Sequence, residues 1–205
     1  MVDVTEVHGV IARPTRVAGA TSREWARSGH NAETAWRRWV TQHRAVSAML
    51  GGLVGVHVAS LLGLWFGGFH LFRLDYDTAN GAVYLPKATP TQQLLVGGLS
   101  HYADGVFFAL IFAVAVAPRI PLPSTAIGNL AKALIFGTVL ALLALFVTAP
   151  YVFGPLRGVH DSLIAFHAGW KYVLSVFLFH WIYGAQLGLI YNPIDDDPDR
   201  QGHGG

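Results

Sequence analysis

Apolar residues collect in four long runs, and shorter polar stretches separate them. The runs are Ala45–Phe69, Leu94–Ala117, Ala133–Phe153 and Ser162–Tyr191. At about 1.5 Å of rise per helical residue, each run is long enough to cross a hydrocarbon core of about 30 Å. The pattern predicts an all-α integral membrane protein, an antiparallel four-helix bundle whose transmembrane domain covers residues 45–192.

The polar flanks carry weaker signals. Residues 1–44 form a predicted cytoplasmic tail, in which Ser22–Arg44 has a helical pattern with Trp25, Trp36 and Trp39 set among arginines. Indole rings and arginines favour the headgroup level of a bilayer, so we expect an amphipathic interfacial helix here. Residues 193–205 form a short acidic tail.

Charge sets the expected topology. The tail of residues 1–44 holds seven arginines against four acidic residues, and the positive-inside rule therefore places it in the cytoplasm. Four spans then put both termini inside a bacterial cell (inner) membrane. Residues 70–93 face outward, and we expect this loop to fold back as a cap through Tyr84 and Leu85.

Two local signals concern helix packing. The chain is stiff from Pro118 to Pro123, which predicts a sharp turn between the second and third spans, with Ser124 or Thr125 as the helix cap. The two spans are expected to be antiparallel neighbours. Small residues recur at four-residue spacing, which favours close packing within the bundle; the pairs are Gly51 with Gly55, Gly63 with Gly67, and Gly184 with Gly188.

Composition narrows the classes of function. The chain is 53% hydrophobic and 13% charged, which argues against a water-soluble domain, and its formal charge of +2 gives no sign of nucleic-acid binding. It has ten histidines and no cysteine, so disulfides, thiolate metal sites and covalent haem attachment are excluded. Sequence motifs of hydrolases, such as a nucleophile elbow or a zinc-protease histidine pair, are absent.

Two stretches resemble a known family. One is His101-x6-Phe108-Ala109-Leu110-Ile111-Phe112-Ala113, and the other runs from His180-Trp181-Ile182-Tyr183-Gly184 to Leu187-Gly188 and Tyr191. Both resemble an uncharacterised family of bacterial four-span membrane proteins over residues 45–192. The resemblance implies the fold and no activity. A fainter similarity is to the C subunit of particulate methane and ammonia monooxygenases.

Ionisable residues gather in the expected outer half of the bundle. Such groups are costly in a membrane span and usually mark a functional path. His101 and Asp104, with His160 and His167, could ligate copper or another metal that histidine binds, with Asp161 as a further ligand or support. The alternative is structural: Asp104 and Lys171 neutralise each other and lock the second helix to the fourth. His167 and Lys171, four residues apart, would then share a helix face.

Haem b is a separate possibility. Antiparallel helices would pair His57 with His180, and His70 with His167, as axial ligands. Each helix has its two histidines 13 residues apart, which leaves them on different faces, so two haems fit poorly and one haem fits better. Hydrogen bonding between helices is the alternative for His57 and His180.

The sequence therefore predicts a small integral subunit of a larger membrane oxidoreductase of respiratory or monooxygenase type. Such a subunit would hold a haem b, metal or quinol site in its outer half and would contact the lipid bilayer and other integral membrane subunits. We expect it to be part of an enzyme complex rather than a catalyst alone. The alternatives are a purely structural or assembly subunit without a cofactor and, third, a small transporter.

Overall fold

A computed structural model describes residues 22–194, and these residues form helices joined by short loops. Four helices are long and apolar enough to cross a membrane, and they are named spans 1 to 4: Arg44–Phe69, Pro90–Arg119, Ala126–Leu156 and Trp170–Ile190. The protein is therefore a helical, multi-pass membrane protein, as the sequence predicts. Contacts divide the chain into residues 1–35 and residues 36–205, and the bundle belongs to the second unit.

Local capping sets where the helices begin. Thr89 and Gln92 form a capping box ahead of Pro90 at the start of span 2. Thr125 caps span 3, where its hydroxyl accepts a hydrogen bond from Gly128 N at 3.0 Å, which confirms one of the two predicted caps. The predicted helix over Ser22–Arg44 also forms, as Ser22–Gln42, and span 1 follows at Arg44.

Span 4 begins later than the sequence predicts. Gly169 has φ of +95°, a left-handed conformation that ends the short turn Ile164–His167 and precedes the helix at Trp170. His160 and Asp161 therefore lie on the loop between spans 3 and 4. The expected shared face of His167 and Lys171 is wrong because Gly169 interrupts the helix between them.

Glycines let the helix backbones touch. A Cβ atom added to Gly184 of span 4 would lie 2.5 Å from the carbonyl oxygen of Ala133 in span 3. One added to Gly52 of span 1 would lie 2.5 Å from the carbonyl oxygen of Gly105 in span 2. Gly51, Gly55 and Gly188 also meet neighbouring spans, so packing within the bundle is confirmed for these two predicted pairs. In the third pair, Gly63 contacts Leu74 and Phe179, whereas Gly67 meets only Arg73 and does not pack against another span.

These contacts leave spans 2 and 3 apart over much of their length. Span 4 packs between spans 1 and 3, and span 1 packs between spans 4 and 2. Spans 2 and 3 meet near the loop that joins them, where the rings of Phe112 and Phe136 lie 5.3 Å apart. The expectation that they are close neighbours is correct only there, because the glycine contacts bind each of them to another span.

The loop between spans 1 and 2 is inserted into the bundle. Leu74 N donates to Gly63 O at 3.0 Å, and the Tyr76 ring lies 4.8 Å from that of Phe179, which is near the middle of span 4. The helix Tyr76–Tyr84, called the inserted helix, then returns along span 2. Irregular backbone at this depth is tolerated where protein surrounds it or where it lines a cavity.

The expected anchors of this loop are wrong. Tyr84 and Leu85 are 58% and 38% exposed, whereas Leu74 is 4% exposed. Close approach of glycine backbones explains the difference, since a Cβ atom on Gly97 would lie only 1.7 Å from Asp77 O. The inserted helix is thus held by backbone contact with span 2 rather than by its C-terminal apolar residues.

We name the two ends of the bundle by their segments. The loop end carries residues 70–89 and 154–169, and the terminal end carries residues 36–43, 117–125 and 191–194. At the terminal end, Trp36 Nε1 donates to Ile190 O at 3.1 Å and Ile194 N donates to Thr41 Oγ1 at 2.9 Å. These bonds tie the segment before span 1 to the end of span 4.

Replacing Gly52 with alanine tests the backbone contact between spans 1 and 2. The added methyl group meets a carbonyl group that cannot move without separating the helices, so the G52A variant is expected to lose about 1–3 kcal/mol of stability. Thermal unfolding in mild detergent, followed by size-exclusion chromatography, measures the loss. The matched control is Gly98→Ala, because no atom lies within 4 Å of the added Cβ there. Equal midpoints for the two variants would contradict this packing.

Candidate functional site

A cavity of about 150 Å³ lies between spans 2 and 3, where the two helices diverge. Span 4 and the inserted helix complete its wall. The rings of Tyr76 and Phe153, 6.3 Å apart between centroids, form part of the wall. Its polar lining residues are Tyr76, Asn80, His101, Asp104, Thr148, His180 and Tyr183.

Span 3 is irregular beside this cavity. Residues Ala144–Phe153 are π-helical and include Pro150, which cannot donate a backbone hydrogen bond. Thr148 and Phe153 of this segment line the cavity. Short π-helical segments within α-helices are frequent at functional sites, because the extra residue per turn displaces side chains from the regular face.

His101 is the least satisfied side chain of the site. Its ring lies 5.8 Å from Tyr76 and 5.8 Å from Phe179, between centroids, so aromatic rings flank it. Its Nε2 atom is buried and has no hydrogen-bond partner among the described residues. A buried ring nitrogen without a partner is costly, and a ligand in the cavity that bonds to it would recover that cost.

His180 faces the same cavity from the middle of span 4. Its Nδ1 lies 2.7 Å from Val176 O, and because a carbonyl oxygen only accepts hydrogen bonds, Nδ1 carries the proton. In the neutral imidazole, Nε2 therefore keeps a lone pair. This backbone bond fixes the ring orientation and makes His180 a hydrogen-bond acceptor toward a ligand.

Asp104 follows His101 by one helical turn and lines the cavity with it. The predicted ion pair with Lys171 does not form. Within residues 22–194, Asp104 has no ion pair, and the Lys171 ammonium group lies 5.9 Å from the centre of the Trp170 ring. Lys171 is exposed near the start of span 4, so Asp104 keeps its carboxylate available at the cavity.

Two tyrosines shape the cavity. Tyr183 donates its hydroxyl to Gly105 O at 2.7 Å, which uses its polar atom and joins span 4 to span 2. Burial raises the pKa of Tyr76 far above its usual value, so its phenol stays neutral at physiological pH. Tyr76 thus covers the site as an aromatic ring with a protonated hydroxyl.

A second set of polar residues, His57, Tyr102 and Asp77, belongs to span 1, span 2 and the inserted helix. His57 Nδ1 and Tyr102 Oη are 2.5 Å apart, so His57 forms a hydrogen bond between helices, the alternative to a haem ligand that the sequence offered. Asp77 Oδ1 is buried and has no hydrogen-bond partner among the described residues. Burial raises the pKa of Asp77, the nearby charge of Asp75 raises it further, and His57 opposes both.

The predicted metal ligands are separated. His101 and Asp104 line the cavity, while His160 and His167 lie on the loop between spans 3 and 4. The backbone N–H of Leu163 donates to the Asp161 carboxylate, and His167 Nδ1 lies 2.5 Å from Asp161 Oδ2; the Leu163 bond first, and then the His167 contact, lower the pKa of that carboxyl. Within residues 22–194, no group of three or more His, Cys, Asp or Glu residues is arranged to hold a metal ion.

The predicted haem ligands also lie in different surroundings. His180 lines the cavity, whereas His57 is exposed on span 1 and bonds to Tyr102. His70 is exposed at the end of span 1 with φ of 59°, and no described contact joins it to His167. The haem pairs therefore stay predictions, with no shared cavity to support them.

The sequence did not predict that His101 and His180 line the same cavity, or that Tyr76 and Asn80 form part of its wall. The spacing of histidines within each span could not show which spans diverge. One signal was present: Asp75 and Asp77 begin a short polar helix whose Gly81 is matched by Gly97 on the following span. Such paired glycines favour close helix approach, which would have brought Tyr76 into the bundle.

Comparison with known proteins identifies a family but no activity. A model described as a family of unknown function (DUF6789) matches residues 42–202. The chain belongs to this family. The match covers all four spans, and the resemblance to an uncharacterised family is confirmed. No curated protein and no solved structure matches the chain, so the fainter similarity to the monooxygenase C subunit receives no support.

Replacing Asp77 with asparagine tests the charge beside the inserted helix. A carboxyl whose pKa is raised in the folded protein binds its proton more tightly there, so stability falls as pH rises through the titration range. The D77N variant should therefore unfold at a higher temperature than the parent protein at about pH 8, and the difference should shrink near about pH 4. Thermal unfolding at the two pH values measures this.

The control is Asp161→Asn, because the pKa of Asp161 is shifted in the opposite direction. Its carboxylate is favoured in the folded protein, so D161N should not raise the unfolding temperature at high pH. A destabilised D77N at about pH 8 would show that the Asp77 charge supports the fold.

Proposed function

We propose that this protein is an integral subunit of a bacterial membrane oxidoreductase and that its cavity binds the ring of a quinol. The observation that carries the proposal is the cavity itself, where the acceptor nitrogen of His180, the unpartnered Nε2 of His101 and the carboxylate of Asp104 meet among aromatic rings. Quinol oxidation releases two protons and two electrons. These three groups can accept hydrogen bonds and protons from the ring hydroxyls.

The size of the cavity favours a single ring over a haem. A cavity of about 150 Å³ in another protein admits benzene, whereas sites for larger ligands occupy about 300–1,000 Å³. The cavity here is about 150 Å³. The electrons of a bound quinol would pass to a redox centre in a neighbouring subunit, which accounts for the proposed place in a larger complex.

The position of the cavity suits a lipid-soluble substrate. It lies where spans 2 and 3 separate, and Leu143, one of its lining residues, is 41% exposed on the surface of the bundle. A quinol could place its ring among His101, Asp104 and His180 and leave its isoprenoid tail in the lipid.

The proposed orientation places the terminal end in the cytoplasm. Between residues 36 and 194, five cations lie in or next to the terminal end, and four lie in the loop-end half. The first set is Arg37, Arg38, Arg44, Arg119 and Lys132, and the second is Arg73, Lys87, Arg157 and Lys171. The sequence before span 1 adds Arg13, Arg16, Arg23 and Arg27, so the excess of positive charge belongs to the side of the N-terminus. Positive charge near span ends favours the cytoplasmic side, so both termini would lie inside and the cavity would open in the outer half.

Binding of a short-tailed quinol with one ring tests the proposal directly. The purified protein in detergent is expected to bind decyl-ubiquinol, kept reduced during the experiment, measured by isothermal titration calorimetry. Each of His101→Leu and His180→Leu removes one hydrogen-bonding nitrogen and should weaken binding about tenfold. Leu143→Trp should weaken it as well, by filling the exposed side of the cavity without removing a polar group.

The matched control is His57→Leu, which removes a histidine from the bundle outside the cavity and should leave the affinity unchanged. Binding that survives both cavity substitutions would contradict the proposal. Absence of quinol binding would favour the structural or assembly subunit. A Soret band lost in H57A or H180A would instead support haem.

A small transporter is the second candidate, and the inserted helix favours it. Sequence alone argues against transport because the apolar runs look unbroken, but the structure shows π-helical segments in spans 2 and 3 and a helix that begins inside the bundle. Irregular backbone at the centre of a bundle is common in transporters. Uptake of small polar solutes by proteoliposomes containing the protein alone would favour this candidate over the oxidoreductase subunit.

A further inference from the structure

The terminal end of the bundle contains a second, larger cavity of about 600 Å³, called the terminal cavity. The rigid loop of residues 117–124 forms one side. The lining of the cavity also includes one residue from each of three spans: Lys132 of span 3, Arg44 at the start of span 1 and Tyr191 at the end of span 4. Three spans and a proline-rich loop therefore enclose a space at the level where apolar helices give way to polar segments.

Lys132 has no counter-ion among the described residues. It is 6% exposed, and it has no hydrogen bond or ion pair within residues 22–194. None of the carboxylates between residues 36 and 194 lines the terminal cavity. Because Lys132 lines this cavity, an anion bound there could neutralise its ammonium group.

Arg44 supplies a second positive charge to the same space. It is close enough to Tyr191 to oppose the rise in that tyrosine's pKa caused by burial. The Tyr191 hydroxyl donates to Ala113 O at 3.4 Å, and the side-chain amide of Asn129 donates to Asn192 and Pro193. The surrounding polar groups are thus engaged in holding the spans together, and the two cations remain for a ligand.

We propose that the terminal cavity binds the phosphate group of an anionic membrane lipid through Lys132 and Arg44. A guanidinium group can form paired hydrogen bonds with phosphate oxygens, and a buried ammonium group gains most from a full negative charge. The cavity lies at the ends of the spans, where lipid headgroups are found, and basic pockets between spans are typical sites for such lipids. This site is independent of the quinol cavity.

Lipid and free phosphate are distinguished by measuring thermal stability of the purified protein with three additives. Short-chain phosphatidylglycerol is expected to raise the unfolding temperature, whereas phosphatidylcholine of the same chain length and inorganic phosphate are not. The same rise with inorganic phosphate would overturn the lipid assignment, and no rise with phosphatidylglycerol would overturn the site.

The variants Lys132→Met and Arg44→Gln should each weaken phosphatidylglycerol binding about fivefold, the effect of losing one cation near an anionic surface. Lys171→Met is the matched control, because Lys171 is exposed at the loop end, and it should bind like the parent protein. Unchanged affinity in both K132M and R44Q would overturn the proposal.

Binding is measured by native mass spectrometry as well as by unfolding, so a variant that folds less well is still informative.

The acidic C-terminal tail is the alternative counter-ion for Lys132 and Arg44. A protein with Asp195, Asp196 and Asp197 replaced by asparagine should bind phosphatidylglycerol at least as well as the parent protein. Loss of binding in that variant would overturn the role of the lipid phosphate as the counter-ion.

Discussion

Backbone contact at glycines is the constraint on which this bundle depends. In lipid there is little hydrophobic gain from bringing apolar helices together, so close packing must supply the attraction. Gly52 and Gly55 of span 1 and Gly184 of span 4 leave less than a side chain's width between neighbouring helices. Spans 1 and 4 each pack against two neighbours, and spans 2 and 3 diverge because span 2 contacts span 1 and span 3 contacts span 4. The cavity follows from this arrangement of contacts.

The polar residues of the bundle separate into two environments that serve different chemistry. Near the middle of span 4, neutral imidazoles and one carboxylate meet aromatic rings in a small space. At the terminal end, cations line a wide space without an acidic partner among the described residues. The first environment suits an apolar ligand with hydroxyl groups, and the second suits an anionic one.

Much of the fold could be predicted from the sequence, because hydrophobic length and helix caps are local properties. The apolar runs gave the number of spans, and Thr125 marked the start of the third. The later start at Trp170 depended on the left-handed conformation of Gly169, which composition does not reveal. The candidate site was harder to predict. His101 and Asp104 were identified as polar residues in a span, but their companion His180 and their cover Tyr76 depend on which helices touch.

The wrong expectations share a physical origin. Pairing Asp104 with Lys171 assumed that opposite charges at similar depth meet, but Lys171 lies at the exposed start of its helix beside Trp170. The expectation that residues 70–93 cover the outer end of the bundle as a cap assumed that their polar residues stay outside it. Asp77 and Tyr76 enter the bundle because glycines on the inserted helix and on span 2 allow the two backbones to approach. The hydropathy of the sequence does not show where backbones can come this close.

The contact of Gly97 with the inserted helix has a consequence for how a molecule reaches the quinol cavity. With the Asp77 carbonyl group packed against Gly97, the inserted helix has little room to move relative to span 2. A quinol that binds in the proposed way would then enter sideways, from the bilayer. Its concentration within the lipid phase would govern occupancy, so partitioning into the bilayer would favour apolar substrates before any side chain discriminates between them.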